Sequence, residues 1–133
     1  MSADGAERAA RTPGLELADV AARSHVTTHV LDSVTGRPAA GVAVTLEQRV
    51  GTAWVLVETG ETDADGRLTA LGPAALPAGR YRISFDTGAW FAQAGRDTFY
   101  PEVTITFDLA DVAEHYHVPL LLAPFAYSTY RGR

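Results

Sequence analysis

The chain has 133 residues, of which 47% are hydrophobic, and its 11 Lys and Arg against 16 Asp and Glu give a net charge of −5. This length predicts one domain with a core of its own, and the acidic balance argues against nucleic acid or an anionic membrane surface as a partner. The absence of cysteine excludes disulfides and thiolate metal sites. It also fits a reducing compartment, so we expect a cytoplasmic protein, and no apolar run is long enough to cross a membrane.

The first 23 residues differ from the rest in composition. They are rich in Ala, Arg and Asp and show little hydrophobic periodicity. The segment from Leu15 to Arg23 could form two turns of helix, but an isolated helix of that length is marginal in water. We therefore expect residues 1–23 to be a flexible N-terminal tail and residues 24–133 to form the domain.

The first predicted strand covers residues 26–32. Apolar and polar residues alternate there with the period of two that a strand requires, which places Thr27, His29 and Leu31 on one face. The residues from 32 to 38 include Asp, Ser, Thr, Gly and Pro, the types that favour turns. The pattern predicts a strand that ends in a turn and presents a histidine on its outer face.

Further strands are predicted over residues 42–49, 53–58, 80–86 and 101–108. Three of them alternate cleanly, whereas residues 53–58 are apolar on both faces. A strand of this second kind is expected where the core covers one face and a partner subunit covers the other. Residues 88–94 predict a single short helix that follows an N-cap at Thr87. Short strands with frequent turns and one brief helix predict an all-β, two-sheet sandwich.

Two further stretches carry candidate functional residues. Residues 62–67 predict a tight loop with Gly66 at a position of positive φ, directly followed by Arg67. Near the C-terminus, His115 and His117 stand two apart and therefore share one face of a strand. With His29 they could form a zinc site of three imidazoles, although nothing in the spacing singles these residues out as ligands. A structural role is the simpler interpretation of His115.

Four blocks of the chain, which together span roughly residues 26 to 133, form a recognisable pattern. The blocks are His29-Val30-Leu31-Asp32 with Gly36-Arg37-Pro38-Ala39, Thr62-Asp63-Ala64-Asp65-Gly66-Arg67, Tyr81-Arg82-Ile83-Ser84-Phe85-Asp86-Thr87, and the C-terminal stretch from Tyr116 to Gly132. In this order they resemble the 5-hydroxyisourate hydrolases, the enzymatic branch of the transthyretin family.

The resemblance implies a transthyretin-like (prealbumin-like) β-sandwich that assembles as a homotetramer, a dimer of dimers. Its active sites would lie in the groove between the dimers. The implied reaction is hydrolysis of 5-hydroxyisourate to 2-oxo-4-hydroxy-4-carboxy-5-ureidoimidazoline in urate degradation, with no metal or organic cofactor.

The family's catalytic positions correspond to His29, Arg67 and His117. One of the two histidines, His117 by preference, would take a proton from water, because an imidazole titrates near neutral pH. The other would hydrogen-bond the substrate or the departing nitrogen. Arg67 would stabilise the oxyanion that develops at the attacked carbonyl.

The C-terminus departs from the family pattern at its last residue. The hydrolases end in Tyr-Arg-Gly-Ser, whereas this chain ends in Tyr130-Arg131-Gly132-Arg133. We expect Tyr130, Arg131 and Arg133 to bind substrate. The terminal arginine would either add a cation for an anionic substrate or fold outward and have no role. Two alternatives stay open. One is a related hydrolase that opens another cyclic imide or lactam, and the other is a binding protein that holds a small ligand as transthyretin does.

Overall fold

The computed structural model describes residues 23–133. The predicted tail therefore lies outside the described residues, apart from Arg23. Within them the elements are nine strands and one helix, in the order β1 Val26–Asp32, β2 Arg37–Pro38, β3 Ala43–Val50, β4 Ala53–Glu61, β5 Arg67–Leu68, β6 Gly79–Phe85, α1 Thr87–Gln93, β7 Val103–Leu109, β8 Tyr116–Ala123 and β9 Ala126–Thr129.

The strands form two sheets. One has the order β2-β1-β8-β9, with β5 also paired to β1, and the other has the order β4-β3-β6-β7. The pairing of β1 with β8 is parallel, and the remaining pairs are antiparallel. The predicted all-β, two-sheet sandwich is confirmed. The parallel pairing matters for function because it places the first strand directly beside the histidine-bearing eighth strand.

The core lies between the sheets and follows the predicted alternation. Val44 and Leu46 on β3 are 0–1% exposed, and Tyr81, Ile83 and Phe85 on β6 are fully buried. Burying a side chain of this size typically contributes about 1.5–3 kcal/mol to the free energy of unfolding. The alternate residues of β1 and β8 that face away from this core are left to build a surface.

The helix packs on the sandwich through Phe91, which is fully buried. Its predicted N-cap at Thr87 was wrong by one residue, since the carboxylate of Asp86 accepts the backbone N–H of Ala89. Thr87 is instead the first helical residue, and its buried hydroxyl donates to the carbonyl of Tyr100 at 3.1 Å. Adjacent Asp and Thr are both competent caps, so local sequence does not decide between them.

Two strands leave apolar or unpaired surface at the rim. On β4, Val55 is 49% and Leu56 60% exposed, and all four residues of β9 are exposed at the edge of their sheet. These surfaces are of the kind that a partner subunit covers. Residues 23–133 contain no helix with the length and hydropathy needed to cross a membrane.

Candidate active site

The predicted catalytic residues lie on one outward face, where β1, β5 and β8 meet. His29 on β1 pairs with Arg67 on β5, and Thr27 on β1 pairs with His117 on β8. Because side chains two apart on a strand share a face, Thr27 and His29 stand side by side. The fold thus brings together three residues that are 38 and 50 positions apart along the chain (29 to 67, and 67 to 117).

The tight loop before β5 positions both Arg67 and His29. Gly66 has φ +75°, and a Cβ added there would lie 2.3 Å from the carbonyl oxygen of Val30, so no other residue fits. The carboxylate of Asp63 accepts the backbone N–H of Arg67 at 3.0 Å. His29 donates from Nε2 to the carbonyl of Asp65 at 2.9 Å, which leaves its Nδ1 as an acceptor.

His117 is held from two sides. Its Nδ1 lies 2.9 Å from the hydroxyl of Thr27, and the same hydroxyl lies 2.8 Å from Nε2 of His115. On the other side, Gly132 packs against the imidazole, and a Cβ added to this glycine would lie 2.5 Å from Cδ2 of the ring. The backbone N–H of Gly132 also donates to the carbonyl of His117 at 2.8 Å. The Nε2 atom of His117 is therefore the ring nitrogen left for chemistry.

A pocket of about 330 Å³ opens beside His117. Its walls include three arginines, Arg23, Arg67 and Arg133, together with three threonines. His29 does not line this pocket but borders it through its pairing with Arg67. Three guanidinium groups around a small polar pocket favour an anionic or strongly polar ligand.

The surroundings of His117 favour its neutral form. Burial lowers the pKa of His117, and the nearby positive charges of His29 and Arg67 lower it further, while a hydrogen bond with Thr27 acts in the opposite direction. Burial likewise lowers the pKa of His115 to about 4, with added repulsion from Arg23 and other cations. A neutral imidazole can accept a proton, so His117 is available as a base at neutral pH.

Tyr130 and Arg131 lie outside the pocket that contains Arg67 and Arg133. They line a neighbouring pocket of about 270 Å³, which His117 also borders. Arg131 donates to the carboxylate of Glu114 at 2.8 Å, and its guanidinium lies 4.4 Å from the ring centroid of Tyr116. This places Arg133, but not Tyr130 or Arg131, in the pocket with Arg67. Substrate binding by Tyr130 and Arg131 stays a prediction.

The three histidines named as possible zinc ligands have other contacts. His115 and His117 both point a ring nitrogen at the hydroxyl of Thr27, and His29 donates to a carbonyl. Across residues 23–133, no three His, Cys, Asp or Glu side chains are grouped so that they could hold a metal ion.

The sequence interpretation missed Thr27 as part of the site. The period of two had placed it on the same face as His29, but a threonine in a strand carries no signal of its own. It also missed His25, which is 6% exposed and uses both ring nitrogens. Nδ1 accepts the N–H of Leu76, and Nε2 donates to the carbonyl of Glu114. His25 thereby fixes the position of the segment that carries His115.

Comparison with known proteins identifies a matching family and related structures. Residues 26–132 match the model of the HIUase/Transthyretin family. The chain is 48% identical over 122 residues to a 5-hydroxyisourate hydrolase of Salmonella dublin, an alignment that covers 90% of this chain and 88% of the relative. It also resembles the solved structure of Klebsiella pneumoniae 5-hydroxyisourate hydrolase, with a TM-score of 0.73 and 42% identity over 81% of this chain and 98% of the other.

The fold alone does not separate enzyme from binding protein. The structure of sea bream transthyretin in complex with thyroxine superposes with a TM-score of 0.76 at 34% identity, and covers 80% of this chain and 93% of the other. The backbone thus fits both kinds of protein equally well. The distinction has to come from the side chains on the outward face of β1, β5 and β8.

Proposed function

This chain belongs to the HIUase/Transthyretin family, and on that premise we propose that it hydrolyses 5-hydroxyisourate to 2-oxo-4-hydroxy-4-carboxy-5-ureidoimidazoline in urate degradation. The observation that carries the proposal is the placement of a neutral His117 and the guanidinium of Arg67 on one small pocket. A protein that only bound an apolar ligand would have no need of a base beside a cation.

The reaction needs a base that takes a proton from water and a hydrogen-bond donor that stabilises the oxyanion. His117 takes a proton from water at Nε2 while the water oxygen attacks the ring carbonyl. The carbonyl oxygen becomes an oxyanion, which Arg67 stabilises with its positive charge and N–H groups. The C–N bond then breaks, and the proton passes from the imidazole to the departing nitrogen. Neither a metal nor an organic cofactor enters these steps.

His29 has a supporting role in this scheme. Its Nε2–H is used on the carbonyl of Asp65, so its Nδ1 can accept a hydrogen bond from a substrate N–H. When it is protonated it disfavours the charge on His117, which is among the reasons that the pKa of His117 is low. We assign the base to His117 and substrate orientation to His29.

Arg133 is proposed to capture the anionic substrate, and we expect Arg133→Gln to raise KM with little change in kcat. Two unit charges about 4 Å apart near a protein surface interact by about 1–4 kcal/mol, and salt screens this attraction. The increase in KM should therefore be at least about fivefold at low ionic strength and should shrink as salt is added. Steady-state kinetics over a range of salt concentrations measure both effects.

The matched control for Arg133 is Arg49→Gln. Arg49 is an exposed arginine on β3, in the other sheet, so its loss changes the net charge equally without touching the pocket. If the two variants show the same salt dependence, the effect is one of overall charge, and Arg133 has no specific role in binding.

We further propose that the protein is a homotetramer, a dimer of dimers. The support is the exposed apolar surface of β4 and the unpaired edge of β9. Sedimentation velocity tests the assembly directly. A species with the mass of a single chain at micromolar concentration would contradict it.

The proposed activity is tested by ultraviolet absorbance with 5-hydroxyisourate freshly made by oxidising urate. The purified protein should accelerate loss of the intermediate above its spontaneous rate. A folded preparation that gives no acceleration would contradict the proposal. The search would then move to other cyclic imides and lactams, for which Arg133 in place of the family's terminal serine would be the first residue to examine.

A further inference from the structure

The hydroxyl of Thr27 lies between two imidazoles. Thr27 is 3% exposed, and its Oγ1 is 2.8 Å from Nε2 of His115 and 2.9 Å from Nδ1 of His117. A hydroxyl carries one proton and two lone pairs. It can therefore donate to only one of the two rings and must accept from the other if both hydrogen bonds are made.

Only one of these arrangements survives when His117 is protonated. An imidazolium carries a proton on both nitrogens, so Nδ1 of His117 must then donate to Thr27. Thr27 in turn donates to His115, whose Nε2 must be unprotonated. If His115 were charged as well, both rings would direct protons at the same oxygen, and the two cations would repel each other.

We propose that Thr27 and His115 are positioning residues that hold His117 in the tautomer with a proton on Nδ1 and a free lone pair on Nε2. The proposal rests on the assignment of His117 as the base. It extends that assignment. Thr27 and His115 would orient His117 in the way that a hydrogen-bonded carboxylate orients the histidine of a catalytic triad. Neither residue exchanges a proton with the substrate, and both end the cycle as they began it.

The surroundings of His115 suit it to accept a hydrogen bond. Positive charges on Arg23, His25, His117 and Arg131 all oppose its protonation, in addition to the effect of burial. These lower the pKa of His115 to about 4, so it is neutral at the pH of the reaction. A neutral His115 can hold its Nε2 lone pair toward Thr27 throughout the cycle.

The backbone around His115 is fixed from two sides. Arg131 donates to the carbonyl of His115 at 3.2 Å and to the carboxylate of Glu114 at 2.8 Å. His25 donates to the carbonyl of Glu114 at 2.7 Å. The Glu114 carboxylate is thus engaged by Arg131. The backbone of His115 is therefore held by groups of the chain itself.

The test is Thr27→Val, which removes the hydroxyl but keeps the branched shape, with Thr27→Ser as the variant that restores it. We expect Thr27→Val to lower kcat at least about tenfold with KM nearly unchanged, and Thr27→Ser to recover most of the loss. Thr27→Val should also move the acid limb of the kcat profile to lower pH. The reason is that the imidazolium of His117 loses its acceptor and its pKa falls.

The control is Thr87→Val. Thr87 is fully buried at the start of α1, and its hydroxyl donates to the carbonyl of Tyr100 at 3.1 Å, outside the loop and the strands that carry the site. This variant should lose stability while its kcat and its acid limb stay at wild-type values. His115→Gln, which can still accept from Thr27, should be more active than His115→Leu.

A wild-type kcat and an unshifted acid limb in Thr27→Val would overturn the proposal while leaving the hydrolase assignment intact. The imidazole ¹⁵N chemical shifts of His117 provide a readout that needs no turnover. They should show a proton on Nδ1 in the wild type and a shift toward Nε2 protonation in Thr27→Val. An Nε2-protonated His117 in the wild type would also overturn the proposal, whichever substrate the protein acts on.

Discussion

His117→Ala should lower turnover of 5-hydroxyisourate at least about a hundredfold while the protein stays folded and assembled, since this is the usual worth of a general base. The variant removes the only ring nitrogen that we assign to proton transfer from water. Its backbone keeps the register of β8 against β1, which the parallel pairing and the hydrophobic residues of β8 maintain. Initial rates and circular dichroism of the same preparation measure the two properties.

Two further experiments separate the role of His117 as a base from its contribution to packing. His117→Asn can still hydrogen-bond Thr27 but has nothing in place of Nε2, so it should be as inactive as His117→Ala. Added imidazole should restore part of the turnover of His117→Ala, because the cavity left by the ring adjoins the pocket. Near-normal turnover in either variant would remove His117 from the mechanism.

Arg67→Glu should abolish measurable catalysis. Removing one oxyanion donor typically costs about a hundredfold to a thousandfold in kcat, and reversing the charge places a carboxylate where an oxyanion must form. The loss should therefore be at least about a thousandfold, measured as kcat with substrate in excess. The loop should still fold, because Asp63 binds the backbone N–H of residue 67 and not its side chain.

Arg67→Lys keeps the charge but loses the planar fork of donors, and it should fall between the wild type and Arg67→Glu. Arg37→Glu reverses the charge of an exposed arginine on β2 and serves as the control for net charge. Comparable losses in Arg37→Glu and Arg67→Glu would mean that overall charge, and not a local oxyanion contact, sets the rate.

The fold was predictable because its strands carry the signal that sequence reasoning detects best. The alternation of Tyr81, Ile83 and Phe85 is read directly from the chain and corresponds to full burial. The sequence is a poorer guide to which of two adjacent residues has a given role, as the N-cap at Asp86 in place of Thr87 shows. Such choices depend on tertiary partners, here the carbonyl of Tyr100 that takes the hydroxyl of Thr87.

The candidate site was predictable only in part. His29, Arg67 and His117 came from the resemblance to a known family, and the periodicity could not have shown that β1 and β8 run side by side. The contact between Thr27 and His115 depends on that pairing and on the bend that leads into β8, so no local pattern contains it. The contacts of Arg131 with Glu114 and Tyr116 could not be predicted from local sequence either. They depend on the path by which the chain returns toward β8 after β9.

The most direct test of the central claim, that a neutral His117 is the base, is the pH dependence of kcat/KM together with an NMR titration of His117. The rate should rise as His117 loses its proton and level off above that point. Because burial and nearby cations lower the pKa of His117, the midpoint should lie below the ordinary histidine value of about 6.5. The two midpoints should coincide. An acid limb at or above about 6.5, or a His117 that titrates at a different pH from the limb, would contradict the account.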